Sequence, residues 1–130
     1  MEIKVRFAPS PTGYLHVGGL RTALYNYLFA KKVGGKLVLR IEDTDQNRIV
    51  EDAVKNLMIT FKKLNINFDE GPDSDGGNGP YFQSERLSIY RKYIKFLLDN
   101  GDAYPCFCSS ERLEEMKKKK TQDKIIIKYD

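Results

Sequence analysis

The sequence predicts an α/β fold in which helices pack on a parallel sheet. Two strand-like runs near the amino end are each followed by a segment whose apolar residues recur every three or four positions, the period of an amphipathic helix. The order strand, helix, strand, helix implies a right-handed parallel connection, because crossovers between parallel strands almost always take that hand. A turn rich in glycine and proline joins the first strand to the first helix, as expected at the start of a nucleotide-binding fold.

The first strand is predicted to end near Ala8, because apolar and charged residues alternate through residues 2–7. A helix is predicted for residues 19–32, with its apolar stripe against that strand and Gly34 with Gly35 as its stop. These two elements place the intervening turn at the carboxyl edge of the sheet.

A second, buried strand is predicted from Leu37 to Ile41, and it ends in an acidic run that begins at Glu42. A second amphipathic helix follows over residues 54–64. Residues 65–80 contain glycine, proline and acidic residues without an apolar period, which predicts an exposed connection.

A third helix is predicted after Ser84, with an apolar face that returns to the same core and a stop at Gly101. Residues 103–108 are predicted as a strand or turn. Ser109 is expected to cap a short helix through Met116, and residues 124–128 are strand-like.

Composition favours a soluble globular protein. The 130 residues are 41% hydrophobic, and no apolar run approaches the roughly 20 residues that a membrane span needs. There is no signal-peptide pattern, so we expect a cytoplasmic protein without a membrane partner. The chain has 22 Lys plus Arg and 18 Asp plus Glu, and its net charge of +4 equals the charge of the run Lys117 to Lys120. This run indicates either a solvated helix end or a contact with a phosphate backbone.

The turn between the first strand and the first helix has the chemistry of an anion site. Helix amino termini carry unsatisfied amides, so Gly18 would let a phosphate approach while His16 donates a hydrogen bond. On residue types alone, a capping or packing role for His16 is an equal alternative, because no Walker-type loop is present. Likewise, Glu42, Asp43 and Asp45 alone would suit helix capping or magnesium binding.

Four stretches together resemble the glutamyl-tRNA synthetases, a bacterial-type branch of the class I aminoacyl-tRNA synthetases. The first contains Pro-Ser-Pro-Thr-Gly and a variant of the HIGH signature, and the others follow in the family's order. They are residues 6–23, 39–48, 79–86 and 101–108. The resemblance implies a Rossmann-like catalytic half-domain over residues 1–100, and the incomplete start of an inserted α+β domain that binds the tRNA acceptor end over residues 101–130.

The resemblance also implies a role for individual residues. His16 and Gly18 would be catalytic, acting on the α-phosphate of ATP, and the substrates would be ATP with Mg²⁺, glutamate and the acceptor stem of tRNA(Glu). The implied ATP contacts are Ser10, Thr12, His16, Gly18 and Gly19, and the implied glutamate contacts are Arg6, Ala8, Ser10 and Glu42. Arg6 suits a substrate carboxylate, because a guanidinium binds one in a two-point fork.

Other residues of the same stretches are expected to support the site. Asp43, Asp45 and Arg48 would hold one another and their loop in position. Tyr81 and Arg86 are interpreted as structural.

The two cysteines, Cys106 and Cys108, are too close for an unstrained disulfide, so they are two thiols or half of a metal site. The resemblance favours half of a structural zinc site.

The chain departs from the family pattern in two ways. Gly19 replaces the second histidine of the HIGH signature, and no KMSKS-type lysine loop is present, so these residues alone are not expected to activate glutamate. The resemblance implies glutamate-tRNA ligase activity for the intact protein, and we expect a monomer. Two alternatives are a glutamyl-queuosine tRNA(Asp) synthetase paralogue and a non-catalytic tRNA-binding fragment.

Overall fold

The computed structural model describes residues 2–123, and side chains through residue 118. The chain divides into two compact units, Met1–Lys92 and Tyr93–Asp130. The elements, in chain order, are β1 (Lys4–Phe7), α1 (Val17–Val33), β2 (Lys36–Leu39), α2 (Ala53–Lys63), α3 (Leu87–Asp99) and α4 (Ser110–Asp123). Short 3-10 turns at Gln46–Arg48 and Gln83–Arg86 precede α2 and α3.

The predicted parallel arrangement is confirmed. β1 and β2 pair in parallel with Lys4 opposite Lys36 and Phe7 opposite Leu39, and α1 connects them. α1 ends where predicted, because Gly34 takes the left-handed conformation (φ 64°) and its amide bonds back to the last turn. The turn before α1 therefore lies at the carboxyl end of β1.

The core of the first unit lies between the sheet and the helices α1 and α2. Phe61 of α2 is 1% exposed and meets Phe7 and Phe68 edge to face, with ring centroids 5.7 and 5.1 Å away. The buried apolar residues around it are Ala23, Ala30, Leu37, Leu39, Ile41, Leu57 and Ile66. Ile41, just beyond β2, is thus a core residue beside the acidic run.

The prediction of an exposed connection over residues 65–80 is wrong in part, because Ile66, Glu70 and Gly71 are buried. The amide of Leu39 donates to the carbonyl of Glu70 at 2.8 Å, and Glu70 bridges Val38 in parallel. This segment adds to the free edge of β2, a long-range pairing that local apolar periodicity does not encode.

The Glu70 carboxylate is buried but fully partnered. Lys4 Nζ donates to Oε1 at 2.5 Å, and Asn78 Nδ2 and the Tyr81 hydroxyl donate to Oε2 at 3.0 and 3.2 Å. The hydrogen bond from Lys4, followed by that from Asn78, lowers the pKa of Glu70 below its usual value, although burial opposes this. The same pairing raises the pKa of Lys4.

We expect this cluster to make stability depend on pH. Because the pKa of Glu70 is lower in the folded state, its contribution is present above the unfolded value of 4.5 and is lost as pH falls through the folded value. Lys4 contributes below 10.5, and its contribution is lost as pH rises through its raised folded pKa. Glu70→Gln should lower the melting temperature at pH 7 and flatten its acid dependence. An unchanged acid profile would contradict this.

The apolar face of α3 is exposed in the described part of the chain, so the prediction that this face is buried in a core is wrong. α3 buries no residue, and Leu87 and Ile94 are each 53% exposed. An amphipathic pattern predicts that a helix has an apolar face, but it does not specify the surface that covers that face.

The cap of α4 is confirmed, since Ser109 Oγ accepts from the amide of Arg112 at 3.3 Å. α4 continues to Asp123, beyond the predicted end at Met116, and Lys117 and Lys118 lie exposed on it.

Residues 103–108, predicted as a strand or turn, form no regular element. The predicted strand at residues 124–128 lies outside the described residues. Among the described helices, none combines the length and apolar character needed to cross a bilayer.

Candidate active site

The carboxyl ends of the two strands continue as a ladder that joins the predicted site segments. The amide of Arg40 donates to the carbonyl of Phe7 at 3.0 Å, and the amide of Glu42 donates to the carbonyl of Pro9 at 2.9 Å. The backbone of the opening turn therefore lies directly beside Glu42. Ligands of α/β proteins bind at this edge of the sheet.

His16 is the N-cap of α1. Its backbone is extended, and its Nδ1 accepts a hydrogen bond from the amide of Gly18 at 3.1 Å. The capping alternative is thus observed, and it does not exclude phosphate chemistry. With Nδ1 as acceptor, the neutral imidazole carries its proton on Nε2, where it can donate to an anionic oxygen. The ring is exposed, so that donor is accessible.

The two glycines of the turn, Gly18 and Gly19, lie close to neighbouring side chains. A Cβ on Gly18 would lie 2.8 Å from Cε1 of His16, and one on Gly19 would lie 2.9 Å from Cδ1 of Leu15. A side chain at Gly18 would displace the imidazole ring from its capping position. The glycine at position 18 therefore leaves the imidazole ring room to cap the helix.

A cavity of about 200 Å³ opens beside the turn. Ser10, His16 and Gly19 contribute to its wall, and Phe7 with Leu57 gives it an apolar side. Three of the five predicted ATP contacts thus share one concavity. Thr12 and Gly18, the other two, are exposed and do not line it.

The predicted glutamate contacts lie along the same edge. Arg6 is exposed at the register position of Val38, and among the described side chains it has no hydrogen bond or ion pair. Ser10 is also exposed, and Ala8 is half-buried. An unpaired guanidinium is available for a carboxylate without first breaking an internal contact.

Glu42 has a partner that the sequence reasoning missed. Arg40 Nη2 donates to Glu42 Oε1 at 2.9 Å, and both side chains are partly buried. A usable signal existed, because residues two apart on an extended segment project to the same side. The burial of Glu70, by contrast, could not be predicted from the sequence, because it depends on tertiary pairing with Val38.

The supporting residues make two separate contacts. Arg48 Nε pairs with Asp45 Oδ2 at 2.5 Å, as expected. Asp43 does not join that pair, and instead accepts from the amide and hydroxyl of Ser84. Arg86 Nη1 donates to the carbonyl of Pro80 at 2.8 Å, consistent with a structural role.

The cysteines do not form a disulfide; Cys106 is exposed and Cys108 is half-buried. Throughout the described residues, no group of three or more His, Cys, Asp or Glu side chains is placed to hold a metal ion. The two thiols could supply at most half of the four ligands that a structural zinc site requires.

The parallel sheet, with a capped helix turn at its carboxyl edge, defines an α/β protein of the kind that binds ligands at that edge. The family described as tRNA synthetases class I (E and Q), catalytic domain, matches residues 2–129. The chain belongs to this family.

The relatives of this chain carry a consistent name. It is 58% identical over 129 residues to the glutamate-tRNA ligase of Chlorobaculum parvum, covering 99% of this chain and 26% of that protein. It is 53% identical over 138 residues to the glutamate-tRNA ligase of Clostridioides difficile, covering 100% of this chain and 28% of that protein.

Solved structures of glutamate tRNA ligases also match this chain. The glutamate tRNA ligase of Elizabethkingia meningosepticum in complex with its amino acid matches with a TM-score of 0.90 and 42% identity, over 100% of this chain and 26% of that chain. The Rossmann-like class I fold is thereby confirmed. The chain spans about a quarter of the length of the relatives that it matches.

Proposed function

We propose that the protein is a glutamate-tRNA ligase, to which this chain contributes the amino-terminal part of the catalytic domain. It would activate glutamate with ATP, release pyrophosphate and transfer the glutamyl group to the 3′ end of tRNA(Glu). The observation that carries the proposal is identity above 50% across at least 99% of this chain with proteins of that name. That shared name favours this reading over the two alternatives.

On the nucleotide side, His16 and the start of α1 would bind ATP. Nε2 of His16 would donate to an oxygen of the α-phosphate, and the partial positive charge of the helix terminus would favour the same anion. Both interactions would strengthen as negative charge develops in the transition state. Ser10, Thr12 and Gly19 would complete the contacts, with Gly18 allowing close approach.

On the amino acid side, Arg6 would bind a carboxylate of glutamate and Glu42 its α-ammonium group. Ala8 and Ser10 lie between them in the chain and would form the wall of the pocket. The substrate carboxylate attacks the α-phosphorus, so no nucleophile from the protein is required. The contribution of these residues is orientation, which can account for a large share of the barrier reduction.

Mg²⁺ and zinc, the two metal ions that the resemblance implies, would have different roles. Mg²⁺ would arrive with the ATP phosphates and neutralise their charge, since the described residues offer no dedicated cluster for it. A structural zinc ion at Cys106 and Cys108 would need two further ligands from elsewhere in the protein.

We further propose that residues 1–100 form the catalytic half-domain and that residues 101–130 begin the inserted domain that meets the tRNA acceptor stem. The exposed Lys117 and Lys118 on α4 are compatible with contact to phosphates there. A cytoplasmic monomer completes the proposal.

Aminoacylation by the full-length protein tests the proposal. With ATP and Mg²⁺, radiolabelled glutamate should become acid-precipitable on tRNA(Glu), and labelled glutamine should not. Transfer to tRNA(Asp) alone would identify the queuosine-modifying alternative. Binding of tRNA without any ATP-dependent transfer would identify the non-catalytic one.

A further inference from the structure

Glu42 lies on the middle segment of a three-segment ladder. On one side its amide donates to the carbonyl of Pro9 at 2.9 Å. On the other side the amide of Ile41 donates to the carbonyl of Tyr81, and the amide of Gln83 donates to the carbonyl of Ile41, each at 2.9 Å. The backbone leading into Glu42 is therefore restrained on both edges.

Asp43 fixes the backbone that leaves Glu42. Its Oδ1 accepts from the amide of Ser84 at 2.8 Å, and its Oδ2 accepts from the Ser84 hydroxyl at 2.6 Å. Both side chains are partly buried, whereas residues 44–49 are exposed. The Asp43 and Ser84 contact is thus the last restraint before the chain leaves the sheet.

Ser84 itself is firmly held. Three residues before it lies Tyr81, which is only 7% exposed. The Tyr81 hydroxyl donates to the buried Glu70. Arg86 Nη1 donates back to the carbonyl of Pro80 at 2.8 Å. The two bonds to Asp43 therefore tie the Glu42 segment to a partly buried, hydrogen-bonded segment of the unit.

We propose that Asp43, clamped by Ser84, is a positioning residue that sets where the Glu42 carboxylate meets the α-ammonium group of the amino acid substrate. The inference rests on the proposed function, because it needs Glu42 to bind substrate. Glu42 Oε1 accepts from Arg40 at 2.9 Å, and no described residue donates to Oε2. Oε2 is the oxygen offered to the ligand, and its location follows the backbone on both sides of Glu42.

Kinetics of the full-length protein separate positioning from folding. Ser84→Ala removes one of the two bonds to Asp43 and should raise the KM for glutamate about tenfold, as expected for a hydrogen bond to a charged group. The KM for ATP should stay within about twofold, because His16 and Gly18 lie on a different segment. Ser84→Thr keeps the hydroxyl and should restore the KM for glutamate.

Ser74→Ala is the matched control. It also removes a serine hydroxyl from the same unit, one that donates to the carbonyl of Asp69 at 3.2 Å, but among the described residues no contact links it to Glu42. It should leave both KM values unchanged. Asp43→Asn, which keeps the shape of the side chain and loses its charge, provides a second variant should Ser84→Ala fail to fold.

The outcomes are distinguishable. Equal increases in KM for glutamate and ATP in Ser84→Ala or Asp43→Asn would overturn the inference, since they would report general loosening of the site. An unchanged KM for glutamate in these variants would also overturn it, provided that Glu42→Gln raises that KM. If Glu42→Gln itself leaves the KM for glutamate unchanged, the proposed role of Glu42 fails instead.

Discussion

Replacing His16 by Ala in the full-length protein should lower the rate of glutamate activation by on the order of 10² or more, the usual cost of losing a transition-state hydrogen-bond donor. The physical reason is the geometry of the turn. Nδ1 is occupied by the amide of Gly18, so the neutral ring presents Nε2–H to the solvent side where the α-phosphate would lie. The measurement is the single-turnover rate of adenylate formation.

The same substitution removes a helix cap, which by itself would cost about 1 kcal/mol of stability. His16→Asn separates the two effects, because Asn is among the best N-cap residues but lacks the imidazole donor. We expect His16→Asn to keep the melting temperature near that of the unmodified protein while remaining as slow as His16→Ala. A rate close to normal in the Asn variant would show that His16 serves only the helix.

The second large effect is expected at Arg6. Arg6→Ala should weaken glutamate binding by roughly tenfold to a hundredfold, because a two-point hydrogen bond to a carboxylate is lost. The protein without ligand should be little affected, since among the described side chains Arg6 has no partner. The measurement is the rise in melting temperature on adding glutamate, which reports binding to the folded state.

Two comparisons complete that experiment. Arg6→Lys keeps the charge and loses the planar fork, so it should give an intermediate shift. Arg91→Ala, at another exposed arginine, is the matched control and should retain the full shift. If Arg6→Ala also retained the full shift, the carboxylate partner would have to be sought elsewhere.

Local patterns predicted the elements of the first unit well. Alternation along β1 and the apolar run of β2 identified both strands, and Gly34 marked the end of α1. These features depend on period and on one backbone conformation, which the sequence carries locally. The resemblance to a family was equally accessible, because the sequence stretches that carry it are short and contiguous.

Two predictions failed because they depended on which distant surfaces meet. Glu70 stands in a stretch with the composition of a loop, yet pairing with Val38 buries it among Lys4, Asn78 and Tyr81. The apolar face of α3 was recognised, but its exposure was not. In both cases the outcome depends on which surfaces meet, and propensity does not encode that.

The sequence by itself determined the α/β order, the family, and the set of candidate residues at the turn and after β2. Only the tertiary structure decided how those residues are held: His16 by its cap on Gly18, Glu42 by Arg40, and Asp43 by Ser84. The Asp43 and Ser84 contact joins positions 41 apart in the chain, beyond the reach of period and composition. The partners of His16 and Glu42 are two residues away, and there the side-chain conformation, which those patterns do not encode, decided the contact.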